Sequence, residues 1–170
     1  MILLLLALIY TAGTFAQEKA QEKAQELCAP CHTGPSADFD KHPHKAKGIS
    51  CDACHGMGEG HRNSQGMTAP DKVAGPKEVP ALCGACHTKQ LAAFQQSKHA
   101  TALQANPRRT ANCAICHGNH APRAVAATQA QCERCHDSRP AACKQAPAKV
   151  TAKVLCANCH VPHTLAKVGP

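Results

Sequence analysis

Apolar side chains crowd the start of the chain and then thin out. Residues 1–16, MILLLLALIYTAGTFA, hold a continuous apolar run from Ile2 to Tyr10. The run is shorter than the ~20 residues a membrane-spanning helix needs. With Thr14-Phe15-Ala16 as a small-residue cleavage site before Gln17, it predicts a signal peptide removed on export. A basic n-region is missing, and an uncleaved anchor is the alternative. Gln17–Glu26 (QEKAQEKAQE) is a polar repeat of strong helix formers with no apolar stripe. Residues 17–27 therefore predict a solvated helical tether. Lys89–Gln104 predicts a further helix, with Thr88 as N-cap and Leu91, Phe94 and Leu103 near one face. Elsewhere Gly and Pro punctuate the chain, notably across Gly66–Pro80 and at Asn106–Pro107. No segment alternates as a half-buried strand does. The predicted fold class is short α-helices joined by irregular loops, with no β-sheet.

Such a chain is short of material for a core. It has 170 residues but only four aromatics, Tyr10, Phe15, Phe39 and Phe94, and no Trp. A domain of this size normally buries branched and aromatic side chains in quantity. Past residue 27 Ala, Lys, Gln and Pro dominate instead, so the polypeptide alone has a nearly disordered composition.

Cysteine and histidine change this picture. Cys-x-x-Cys-His occurs six times: Cys28-Cys31-His32, Cys51-Cys54-His55, Cys83-Cys86-His87, Cys113-Cys116-His117, Cys132-Cys135-His136 and Cys156-Cys159-His160. This spacing reads as a c-type haem attachment site. Two thiols add across the porphyrin vinyl groups, and the adjacent His gives the iron its first axial nitrogen. The six copies use twelve of the thirteen Cys. Structural zinc could use Cys-x-x-Cys pairs, but it does not demand a His after every second Cys. A disulfide framework leaves the same His unexplained. A thioredoxin-like motif would occur once, near a βαβ pattern that is not visible. Six covalent haems would supply the missing core as rigid apolar plates, and the protein without haem is expected not to fold.

The net charge of +8 suggests nucleic acid or acidic membranes as partners. Haem propionates remove that suggestion. Six haems subtract about six charges when ferric and about twelve when ferrous. Lys and Arg then read as partners for propionates and docking proteins. No aromatics interleave with the basic residues, and no nucleic-acid partner is expected.

The chain repeats. Residues 28–44, CAPCHTGPSADFDKHPH, align without gaps on residues 83–99, CGACHTKQLAAFQQSKH. Phe39 matches Phe94, and His44 matches His99. Each copy runs on to a second site followed by another His, in CDACHGMGEGH (51–61) and CAICHGNH (113–120). The unit is a two-haem module, and the predicted modules are 28–61, 83–120 and 132–163, with 164–170 as a tail. The third is worn: Cys143 stands at the Phe39 position and Ala148 at the His44 position. The thirteenth Cys, Cys143, reads as a structural thiol at a packing position. An intermolecular disulfide and a relic site in PAACK are the alternatives.

Twelve His match twelve axial positions on six irons. Six sit in the motifs. The others, His42, His44, His61, His99, His120 and His163, are the predicted distal ligands, giving every iron two imidazoles. In CAICHGNH, His120 lies one helical turn past His117 and cannot reach the other face of the same iron. The two must serve different irons, as must His160 and His163, and His55 and His61. His42 lies outside the repeat. It is expected to replace the ligand lost at Ala148, reaching the haem of Cys132. Met57 or Met67 capping one iron is the alternative.

The motifs, with CHGMGEGH, FQQSKHA and CHVPH, resemble those of small multihaem c-type cytochromes. They are similar to the pentahaem electron donor of cytochrome c nitrite reductase and to decahaem periplasmic subunits of outer-membrane conduits. The resemblance covers residues 28–163. It implies a haem-packed fold and single-electron transfer in the periplasm or outside the cell. It also implies redox partners: a membrane quinol oxidase, a terminal reductase or an outer-membrane conduit. No catalytic residue is expected. A protomer of an extracellular cytochrome filament and an oxidoreductase with one open iron stay as alternatives. Haem storage is disfavoured because thioether bonds prevent release.

Overall fold

A computed structural model describes residues 24–136, 156 and 159–166. The expected signal peptide, most of the expected tether, Cys143, Ala148 and the C-terminal residues 167–170 lie outside the described residues. Within them the chain is short helices and loops, as the pattern predicts. There is no strand, only a bridge residue at His160. No described helix is long and apolar enough to cross a membrane.

The chain divides into two compact units. The first takes in residues 1–73 and 120–122. Its helices are Thr33–Phe39, Cys51–His55 and Glu59–Asn63, preceded by helical residues 24–28, with a 3-10 turn at Lys45–Lys47. Gly56 ends the helix Cys51–His55 at φ +76°, where L side chains are rarely found. A Cβ there would lie 2.5 Å from Asp71 Oδ2. The bare glycine lets Asp71 approach and accept the Gly58 N–H at 2.9 Å. Lys72 N–H donates to the His55 carbonyl at 3.1 Å, which seats the following loop against the site.

The second unit takes in residues 74–119 and 123–170. The helix Val79–Gly84 packs on Thr88–Gln95 and Cys113–His117, Thr88–Gln95 packs on Lys98–Ala105, and Cys113–His117 packs on Val125–Glu133. The single helix expected over Lys89–Gln104 is two helices. The chain leaves the first at Gln96 and restarts at Ser97, whose extended backbone and side chain cap the second by accepting the Ala100 N–H at 3.1 Å. The first is N-capped by His87, not Thr88. This break turns Leu103 (1% exposed) and Phe94 (8%) inward. With Ala24 they are the buried apolar side chains among the described residues. That is far too little to hold a domain of this length.

Candidate haem-binding centres

The motif spacing is the geometry of one helical turn. Residues i, i+3 and i+4 share a helix face. The backbone closes that turn at each site. His32, His87, His136 and His160 donate their N–H to the carbonyls of Cys28, Cys83, Cys132 and Cys156 at 3.0, 3.0, 2.8 and 2.9 Å. The other two motifs are the helices Cys51–His55 and Cys113–His117. Both thiols and the imidazole of each motif thus point to one side, as a plate bonded at two edges and ligated through its centre requires. No disulfide joins any of the twelve described cysteines. Nor do three or more His, Cys, Asp or Glu converge among the described residues as a zinc centre would need.

The first thiols of successive motifs approach one another in twos. Cys83 is drawn down to about 7 by a hydrogen bond from Cys113, whose own thiol that bond and burial push up. Cys51 is raised by burial and then by Cys28, and Cys132 by burial and then by Cys156. These are the motifs of residues 28–61, 83–120 and 132–163, the three proposed modules.

The histidines also come in twos. His32 and His61 rings lie 5.9 Å apart between centroids, His55 and His120 6.0 Å, His99 and His136 6.0 Å, and His117 and His163 5.9 Å. Their planes are inclined by 24 to 42°. This is too far for stacked rings in contact. An imidazole nitrogen sits about 2 Å from a bound transition metal, so two rings on opposite faces of one ion have centroids about 6 Å apart. The gaps fit an iron between each two rings. Burial lowers the pKa of His99, then the charge of His136 does so. Burial and then His117 and His87 lower that of His163. His120 is lowered by burial and His55, against an upward pull from Asp38. All three are held as the neutral imidazoles that metals bind.

Several rings are also fixed in tautomer. The Nδ1 atoms of His55, His61 and His160 face the carbonyls of Lys72, Thr68 and Leu165 at 3.1, 2.7 and 3.0 Å. A carbonyl only accepts, so each Nδ1 carries the proton and Nε2 offers its lone pair. The loop serving His160 is strained, with His163 at φ +71° and Leu165 at φ +56°. His42 is arranged the other way, its Nδ1 accepting the His44 N–H at 3.0 Å. It stacks on Phe39 at 5.3 Å and tilts against His44 at 4.5 Å. The His136 ring has the His99 ring across from it, where the sequence reading looked to His42. His117 faces His163 and His120 faces His55, so the two His of CAICHGNH have separate partners, as expected.

Four positioning residues escaped the sequence reading. Asn112 caps Cys113–His117 by accepting the Ile115 N–H at 3.1 Å, and its amide donates to the Pro76 carbonyl at 3.1 Å. Arg123 closes the other end of that helix, donating to the carbonyls of Ala114 and Ile115 at 3.0 and 2.8 Å. Asp71 and Ser97 are the others. A polar residue directly before a helix, as in NCAICH, was a usable capping signal. Arg123 and Asp71 left none, since their partners are backbone groups distant in sequence.

Residues 43–137, more than half of the chain, match the cytochrome c3 family. Residues 10–56 match the family of cytochrome c554 and c-prime. The C-type polyheme cytochrome OmcC of Geobacter sulfurreducens is 25% identical over 107 residues, 54% of this chain. The chain spans 14% of that relative's length. No solved structure matches. The repeated thiol–thiol–imidazole turns, the rings set a metal's width apart and the family match converge: this chain belongs to the cytochrome c3 family and is a multihaem c-type cytochrome.

Proposed function

We propose that the chain carries six covalently attached haems and relays single electrons among them, between redox proteins outside the cytoplasm. The supporting observation is the set of four His–His gaps near 6 Å. When bound, a haem iron with imidazole on both faces exchanges one electron and leaves no position for a substrate. The chain's residues do the rest. The twelve motif thiols tether. His32, His55, His117 and His136 ligate from the motif side, and His61, His120, His163 and His99 from the other. Carbonyls of Lys72 and Thr68 hold the ligating tautomer at His55 and His61, so neither ring must reorient when the metal charge changes. His87, His160 and His44 belong to the ligand set by motif and by repeat.

Intact mass and a redox titration of the exported holoprotein test this reading. Six haems are expected, reduced over a broad span of overlapping steps and rapidly reoxidised by a second cytochrome. A chain with fewer haems, or haems that exchange no electrons with any protein partner, would sink it.

A further inference from the structure

Two imidazoles of the first unit that face different rings lean on one short segment. The His61 ring faces His32 at 5.9 Å, and the His55 ring faces His120 at 6.0 Å. On the ligand reading these are two irons, one in the haem of Cys28 and Cys31, the other in the haem of Cys51 and Cys54. Both rings nevertheless donate from Nδ1 into residues 68–72. His61 reaches the Thr68 carbonyl at 2.7 Å, and His55 reaches the Lys72 carbonyl at 3.1 Å.

The segment is pinned at both ends. Ser64 Oγ donates to the His61 carbonyl at 3.1 Å and accepts the Thr68 N–H at 2.9 Å. The Thr68 end is thus tied to the backbone of the residue whose ring it holds. At the other end the Lys72 N–H donates to the His55 carbonyl at 3.1 Å, so Lys72 grips both the ring and the backbone of His55. Beside it Asp71 Oδ2 accepts the Gly58 N–H at 2.9 Å, through the space that Gly56 leaves by lacking a Cβ. Pro70 stands between the two ends and fixes one backbone dihedral. Thr68, Asp71 and Lys72 are exposed, so hydrogen bonds rather than burial set where the segment lies. An Nδ1–H held by a carbonyl makes the other ring nitrogen a stronger donor to metal. A stronger donor favours ferric iron and keeps the potential low.

We propose that residues 68–72 are a shared outer support that sets the axial imidazoles of two irons together, with Asp71 as the positioning residue that anchors it. The inference rests on the ligand reading for His32 with His61 and for His55 with His120. It adds that the potentials of the two haems are tied through one loop, so that loosening the loop moves both.

Asp71→Ala in the exported holoprotein removes the anchor. A site-resolved redox titration should show the haem of Cys28 and Cys31 and the haem of Cys51 and Cys54 rising in potential together. The expected size is about a tenfold shift toward the reduced form, ~59 mV for one electron. Haems on the other motifs should keep their potentials. Magnetic resonance of the reduced, diamagnetic protein carrying isotope-labelled histidine gives a second readout. The Nδ1 protons of His55 and His61 should both exchange with solvent faster than in wild type. Asp71→Asn, whose Oδ1 still accepts the Gly58 N–H, should restore slow exchange at both rings, which separates the hydrogen bond from the carboxylate charge. Ser64→Ala frees the Thr68 end and should move the same two haems, so the test stands even where Asp71→Ala fails to retain its haems. A response confined to one of the two haems overturns the proposal. So does an equal shift of every haem, or fast exchange in Asp71→Asn. A wild-type protein in which His55 or His61 is no axial ligand overturns the underlying reading, and this proposal with it.

Discussion

Asn112 is 6% exposed and uses both ends of its amide, one to start the helix Cys113–His117 and one to tie it to Pro76. Asn112→Ala removes a cap and a partly buried hydrogen bond, together about 2 kcal/mol. It should lower the thermal midpoint of the holoprotein, and Asn112→Asp, which keeps the cap, should recover about half. Equal midpoints for the Ala variant and wild type would refute this role. At His120 the expected effect is electronic. His120 faces His55, so His120→Met should raise the potential of the haem held by Cys51 and Cys54. The haem of Cys113 and Cys116 should keep its ligation, because His117 faces His163. A site-resolved titration in which the latter haem shifts most would contradict this pairing.

Between elements, the closest approach is at Gly84. A Cβ there would overlap Leu91 Cδ2 and lie 2.8 Å from Leu91 Cβ. The second atom belongs to the stem of the side chain and cannot swing away. Val79–Gly84 carries Cys83, and Thr88–Gln95 begins just past His87, so the whole third motif bends around this contact. Gly84→Ala should cost about 1–3 kcal/mol through overpacking. Gly84→Ala/Leu91→Ala should recover part of it, measured by thermal melting of the two holoproteins. If the single variant melts with wild type, the two helices are not held at this distance.

At the scale of the whole molecule, the described residues supply almost no apolar core of their own. Ala24, Phe94 and Leu103 are the buried apolar side chains among the described residues. Hydrogen bonds within short helices do not offset the entropy of ordering a chain of this length. Replacing all twelve motif Cys by Ala should therefore give a chain with coil-like far-UV circular dichroism and no cooperative melt. A cooperative transition in that variant would show a core that the side chains do not reveal.

The sequence by itself determined the cofactor chemistry and the fold class. Both are local: the motif is one helical turn, and the absence of long apolar periodicities permits only short helices. It also held the repeat and the separate ring partners of His117 and His120, because three residues cannot carry the chain around an iron. It misplaced one helix boundary, at Ser97, where a side-chain cap outweighed the continued apolar face. Only the tertiary structure decided which rings meet. His99 and not His42 faces His136, and His120 leaves the residues around it to join the first unit. Only there, too, does His42 show which of its nitrogens holds the proton. Composition counts imidazoles, but whether one can ligate depends on the donor that its backbone neighbours place against it, and that is a matter of distance.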